Sequence, residues 1–223
     1  MKTLLRNNKN QKFAVFDTET EGLSLTSSRP WQLSWIICQG EDIIEEHDEF
    51  ILFEDLNMSE GAAKITNFNK QTYLNKAKPP MEVWQKFAKT LYDKDILLVG
   101  QNILNYDIYI LNTLMNGLGI QNDWSFLSRM IDTRALAMSI FKQVKPNDSA
   151  VWFMNTNAPG RAGDFLCWQM KLMNHFEKGI KTSQGFLLKH YGIEHDPAML
   201  HNALYDIKMN YKIFRRQISE VEI

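Results

Sequence analysis

The chain has 223 residues, 44% of them hydrophobic and 12% aromatic, with a formal net charge of −1. That is enough chain to bury the core of one α/β domain, and a near-neutral balance argues against a sequence-independent nucleic-acid coat, which would be basic. No apolar run approaches the roughly 18–20 residues of a membrane span, and the basic start (residues 1–12) lacks the apolar stretch of a secretory signal. We therefore expect a cytoplasmic protein without membrane association, with Cys38 and Cys167 as two buried free thiols.

In chain order, Phe13–Asp17 reads as a short buried strand ending in a polar turn. Gln32–Cys38 and Ile43–Phe53 read as two more strands. Their connection through residues 39–42 is short, which predicts an antiparallel meander. Ser59 is placed to cap a short helix through Ile65. Pro79-Pro80 opens an amphipathic helix with Val83, Trp84, Phe87, Ala88 and Leu91 at spacings of three and four. Ile96–Val99 is a fourth strand. A helix follows Tyr106 with Ile110, Leu111 and Leu114 on one face, and Asp132–Phe141 is helical. Residues 142–182 hold Pro146, Pro159, Gly160, Gly163 and Gly179 and read as an irregular insertion. Ser183 then caps a helix to about Tyr191, and the last helix runs from about Ala203 to Ile218. The pattern predicts an α/β fold, one domain over 1–223 with a core of about 12–141 and 183–217. Its mixed central sheet is antiparallel in strands 1–3, parallel beyond, and flanked by helices.

Charge is unevenly spread. Residues 41–60 carry nine acids and no Lys or Arg, whereas residues 142–195 carry seven Lys/Arg against four Asp/Glu. A nucleic-acid path is expected to avoid the first segment and favour the second, although a solvated charged face gives the same pattern. In and near the insertion, Trp152, Phe153, Phe165, Trp168 and Phe176 with Arg161, Lys171, Lys178 and Lys181 are compatible with a base-stacking wall. They are equally the aromatics that would glue such a segment to the core.

Three carboxylate segments carry chemistry. Residues two apart on a strand project to one face, so Asp17 and Glu19 in Asp17-Thr18-Glu19-Thr20-Glu21-Gly22 aim two carboxylates at one point. Such a pair is unfavourable without a cation between them, and hard oxygens suit Mg²⁺ or Mn²⁺. Alone, a D-x-E is more often a surface loop. Gly22 is expected to let the backbone turn sharply. Asp107 ends the segment Gly100–Asp107 (GQNILNYD) directly after the fourth strand, where a helix-capping acid is ordinary. His201 and Asp206 would lie about 140° apart on a continuous helix; they converge if His201 sits in the loop before it. A structural histidine is the plainer reading of that segment by itself.

In this order the three segments resemble the DnaQ-like (DEDDh) exonucleases, which have a ribonuclease H-like fold. Phe16–Leu23 (FDTETEGL) is close to F-D-x-E-T-x-G-L. Gly100–Asp107 matches G-x-N-x-x-x-[FY]-D, and His201–Asp206 (HNALYD) matches H-x-A-x-x-D. Ala62–Asn69 looks like a degenerate A-x-x-[IV]-H-G-I-T segment, and Ile131-Asp132-Thr133 like an I-D-T before a helix. The resemblance covers about residues 12–217. It implies a 3′–5′ exonuclease that uses two divalent cations, Mg²⁺ or Mn²⁺, and releases 5′-nucleoside monophosphates. Asp17, Glu19, Asp107 and Asp206 would be the metal ligands, and His201 the general base, a side-chain type whose ordinary pKa is about 6.5. Thr18, Thr20, Leu23 and Asn102 would touch the substrate.

Glu21, Gln101 and Thr66-Asn67 depart from the family pattern, and Glu21 is expected to add negative charge near the site. The expected partner is nucleic acid, chiefly single-stranded DNA 3′ ends, in a proofreading or repair role that would entail a polymerase or repair protein. The chain's end soon after its last helix suits a free-standing enzyme. An RNA-trimming exoribonuclease and a catalytically silent nucleic-acid-binding module are the alternatives; intact carboxylates speak against the second. No stretch fixes an oligomeric state.

Overall fold

A computed structural model of the protein describes residues 5–144, 162–174, 179–221 and 223. Five strands form one sheet in the order β3-β2-β1-β4-β5: β1 (Lys12–Thr20), β2 (Pro30–Gln39), β3 (Asp42–Phe50), β4 (Ile96–Gly100) and β5 (Met130–Asp132). β1 is antiparallel to β2 and β2 to β3, while β1–β4 and β4–β5 are parallel. The expected meander and mixed sheet are therefore present. β1 runs three residues beyond the expected Asp17 end, which places Glu19 on the strand.

The helices are α1 (Glu60–Ile65), α2 (Lys70–Lys76), α3 (Pro80–Leu91), α4 (Asp107–Gly117), α5 (Thr133–Lys142), α6 (Ala162–Asn174), α7 (Gln184–His190) and α8 (Ala203–Val221). The period of two along β1 sorts them into layers. Ala14 and Phe16 pack with α3 and α4 residues Phe87, Leu91 and Leu111 on one face of the sheet. Phe13 and Val15 pack with Ile207, Tyr211 and Phe214 of α8 on the other. Ser59 caps α1 by accepting from Ala62 N at 3.1 Å, as expected. Asn69 caps α2, a helix not anticipated, through Thr72 N at 2.8 Å. Asp132 is the N-cap of α5, so that helix starts one residue later than expected and β5 precedes it.

The largest correction concerns the insertion. Residues 145–161 and 175–178, with Trp152, Phe153, Phe176, Arg161 and Lys178, lie outside the described residues. Between them α6 is regular and built into the core. β5 is an edge strand, and an edge leaves backbone donors and acceptors unpaired. Gln169, fully buried on α6, supplies both: its Oε1 accepts from Asp132 N at 2.7 Å and its Nε2 donates to Met130 O at 3.0 Å. Phe165 is buried in the core and stacks on Trp168 at 5.4 Å between centroids. Of the aromatics in the candidate stacking wall, these two are packing residues. Cys167 is exposed, not buried, because it lies on the solvent side of α6.

Arg129 is a buried cation held, among the described residues, by backbone carbonyls, with the charge of Asp93 acting on it at longer range. Its guanidinium donates to the carbonyls of Asp93 (2.7 Å), Ile96 (2.5 Å) and Leu91, tying the end of α3 to the start of β4. Arg129→Met keeps the bulk and removes a charged donor from three carbonyls, of which Asp93 O retains the Ile96 N–H, so it should lower stability by about 2–4 kcal/mol. Chemical denaturation checks this; a loss under about 0.5 kcal/mol would show that water replaces the guanidinium.

Candidate active site

The site forms where β1 outruns its neighbours. β4 pairs with β1 only as far as Val15, so the following edge of β1 needs other acceptors. Asp107, the first residue of α4, provides one: its Oδ1 accepts from Thr18 N at 3.0 Å and from Thr18 Oγ1 at 2.7 Å. Asp107 thus caps a strand edge, beyond the ordinary duty of a first-turn helix acid. Asp17 and Glu19 share the parity of Phe13 and Val15, which directs them to the α8 side, where Asp206 lies in the first turn of α8.

The segment Gly100–Asp107 is held from behind. A Cβ at Gly100 would run into the side chain of Ile103 and come to 3.0 Å from the Phe16 carbonyl oxygen, so the close approach requires glycine. Asn102 adopts φ +63°, a left-handed conformation that asparagine tolerates better than most residues. Buried Asp132 accepts from Asn102 N (3.0 Å), Leu104 N (3.1 Å) and Arg134 N (2.9 Å) and fixes the turn.

His201 and Asp206 converge as the loop geometry requires. His201 precedes α8 at φ +70°, and its backbone N–H donates to Asp206 Oδ2 at 2.9 Å. Asp206 Oδ1 accepts from Gln184 Nε2 at 3.0 Å. Asp17, Glu19, Asp107, His201 and Asp206 all line one cleft of about 490 Å³, together with Thr18, Gln101, Asn102, Tyr106, Ser183, Gln184, Gly185 and Leu200.

The carboxylates strain against one another. Asp17 and Glu19 are partly accessible through the cleft, yet their carboxyl groups are desolvated. Burial, then the charges of Asp107, Glu19 and Asp206, push Asp17 well above the usual carboxylate range. Burial and the charges of Asp206 and Asp107 raise Glu19 to about 8. Burial raises Asp107 to about 7 against the lowering hydrogen bonds from Thr18, and raises Asp206 to about 6 against those from His201 N and Gln184. Among the described residues, no three His, Cys, Asp or Glu side chains stand arranged to grip an ion as they are. Asp107 Oδ1 is engaged by Thr18, and the Asp206 oxygens by Gln184 and His201 N, which line the same cleft. The donor set nonetheless suits a divalent cation: four hard oxygen ligands face one cleft, and a cation would favour their charged forms against the burial and mutual repulsion that raise their pKa values.

Of the four substrate candidates, Thr18 and Asn102 line the cleft. Asn102 Oδ1 accepts from Arg134 at 2.6 Å. Thr20 is buried with its hydroxyl on Gly22 O (2.6 Å) and 2.7 Å from Tyr106 OH. Leu23 is 86% exposed and does not line the cleft. Gly22 is not left-handed; a Cβ there would meet Ser28 Oγ at 3.2 Å. Nor is Glu21 a loose negative charge: it accepts from Arg29 N, Nε and a terminal nitrogen and from Asn57 N, and these bonds hold its carboxyl below the ordinary value despite burial. Ser183 occupies the N-cap position of α7 without making a side-chain cap bond. Sequence reasoning passed over Gln184. The available signal was its place three and four residues before Leu187 and Leu188, a polar residue on an otherwise apolar stripe.

Comparison with known proteins agrees with this geometry. The sequence profile of the RNase_T exonuclease family matches residues 14–161, more than half of the chain. A 137-residue stretch is 27% identical to the PolC-type DNA polymerase III of Pediococcus pentosaceus, covering 61% of this chain and 9% of that polymerase. Among solved structures, E. coli exonuclease I in complex with a dT13 oligonucleotide matches with a TM-score of 0.70 at 16% identity, over 95% of this chain and 42% of that one. Its complex with a dA16 oligonucleotide matches with a TM-score of 0.68 at 17% identity, over 94% and 42%. At such identities the likeness is one of fold, and this chain spans less than half the length of either protein. The chain belongs to the RNase_T exonuclease family of the DnaQ-like superfamily, with its ribonuclease H-like fold.

Proposed function

We propose that the protein is a divalent-cation-dependent 3′–5′ exonuclease that removes 5′-nucleoside monophosphates from single-stranded DNA ends, in a proofreading or repair setting. The observation that carries this reading is the meeting of Asp17, Glu19, Asp107, Asp206 and His201 in one cleft. The oligonucleotides named with the exonuclease I structures support DNA as the substrate. Asp17, Glu19, Asp107 and Asp206 would hold the cations, Mg²⁺ or Mn²⁺. When bound, they would supply neutralisation of the phosphate and a lowered pKa for water.

The chain's own residues do the rest. His201 takes the proton of the attacking water at a ring nitrogen, the role of a general base. Its backbone N–H donates to Asp206, which holds the residue at the head of α8 on the cleft. Thr18 holds Asp107 in place, and Asn102 presents its amide to the strand end.

Incubation with Mg²⁺ and 5′-labelled single-stranded DNA, with matched RNA in parallel, tests the reading. The expected product is a ladder shortening from the 3′ end, faster on DNA. Asp17→Ala or Asp206→Ala should lower the rate at least about 10³-fold. His201→Ala should lower it about 10²–10⁴-fold while cation binding persists. Full activity in Asp17→Ala would sink the assignment.

The raised carboxyl pKa values also predict how the cation-free protein responds to pH. The folded site holds protons that the unfolded chain has released, so stability falls as pH rises from about 4.5 through the folded values of about 6, 7 and 8. In EDTA, melting temperature should therefore decline between about pH 5 and 9, and Mg²⁺ should restore it most at the alkaline end. Glu19→Gln should raise the cation-free melting temperature at pH 8 by about 2–6 °C while abolishing cleavage. A flat profile in EDTA would mean that the carboxylates are solvated and do not repel one another.

A further inference from the structure

Gln184 is the first residue of α7 and half-buried. It lies three and four residues before Leu187 and Leu188, which are buried in an apolar cluster with Ala137, Met209 and Ile213. A polar side chain on that stripe requires a partner. It finds a single residue: Gln184 Nε2 lies 3.0 Å from Asp206 Oδ1 and 3.2 Å from the Asp206 backbone oxygen. Asp206 Oδ2 takes the His201 N–H at 2.9 Å. Each carboxylate oxygen of Asp206 is thus held by one neutral donor, and neither donor uses up its remaining lone pair.

The seat of α7 does not depend on this bond. Leu187 and Leu188 anchor the helix in the core. Just ahead of it, Thr182 O accepts from Gln101 Nε2 at 2.7 Å, and the Gln101 Oε1 accepts from Thr133 Oγ1. The chain therefore arrives at Gln184 already fastened to the segment that carries Asp107. The amide is a fixed post against which the Asp206 carboxylate is set.

We propose that Gln184 is a positioning residue: its amide presets the Asp206 carboxylate toward the cleft and thereby sets the affinity of the site for its divalent cation. This rests on the reading of Asp206 as a cation ligand. Outer partners that orient a ligand commonly change metal affinity by about 10–100-fold when removed. Here one of two clamps is lost, so the lower end of that range applies.

The test titrates Mn²⁺ into the wild-type chain, Gln184→Met and Gln184→Leu by calorimetry, with Asp206→Ala as control. Melting in EDTA and the Mg²⁺ half-saturation of DNA cleavage are measured alongside. Both substitutions keep an apolar, helix-favouring side chain on the stripe, so each should melt within about 2 °C of wild type without cation. Mn²⁺ binding and Mg²⁺ half-saturation should weaken about 10-fold, while the KM for DNA at saturating Mg²⁺ stays within about two-fold. Mn²⁺ affinity within about two-fold of wild type in either folded variant overturns the proposal. So does a cation-free melting loss above about 5 °C in both, which would make Gln184 a structural residue. If instead Asp206→Ala binds Mn²⁺ as wild type does, the ligand assignment itself fails and Gln184 falls with it.

Discussion

The organising constraint is like charge gathered at the end of a buried strand. The apolar part of β1, from Phe13 to Phe16, is buried between two helical layers. The next residue of the same strand is Asp17, whose carboxyl is desolvated by the same burial and repelled by three others. A buried charge needs partners, and the partners here are almost all neutral donors: Thr18 for Asp107, His201 N and Gln184 for Asp206. Neutral donors hold a carboxylate in place without cancelling its charge. A salt bridge in the same position would cancel it.

Repelling groups stay together only on a stiff support. That support is a polar network behind the cleft. Thr133 Oγ1 lies within hydrogen-bond distance of Gly100 O, Gln101 Oε1 and Asn210 Oδ1, and Gln217 Nε2 donates to Thr133 O at 2.9 Å. Through these contacts the end of β4, the start of α5 and the middle of α8 are joined. Asp132 pins the turn after β4 in the same layer, and Gln169 seals the β5 edge beside it. All of these side chains except that of Gln101 are buried; the one Thr133 hydroxyl proton can serve only one of its three acceptors at a time, and Gln217 Oε1 has no partner among the described residues, so the network joins the elements without satisfying every atom.

Much of this was legible in the sequence, and the reasons are physical. The period of two along β1 fixed the shared face of Asp17 and Glu19, and the short connection after Cys38 fixed the meander. The apolar spacing of Val83, Trp84, Phe87 and Leu91 fixed α3. What stayed hidden depends on partners distant in sequence. Gln169 acts on Asp132 from 37 residues away, and Gln184 on Asp206 from 22; nothing local marks a glutamine as a strand-edge partner. Glu21 looked like added negative charge because its neutraliser, Arg29, reaches it only once the loop between β1 and β2 folds back. The left-handed backbone of His201, which brings its N–H to Asp206, breaks the helical geometry by which their spacing would otherwise be judged.

The acidic run over 41–60 has a structural role of its own. Much of it lies on β3, the outer strand of the sheet, where charged side chains hinder pairing with another chain's edge. Several of its acids are also tied down: Glu49 to Lys78 and Lys86 at 2.7 and 2.5 Å, Glu46 to Lys208 at 2.7 Å, and Glu41 to Arg215 at 3.0 Å. The pairs of Glu46 and Glu41 latch β3 and its turn to α8, the helix that bears Asp206. The run therefore guards an edge and meets α8 through exposed pairs that each add little stability. What the net charge leaves out is local: four carboxyl groups crowd one cleft, and burial and mutual repulsion favour their neutral forms.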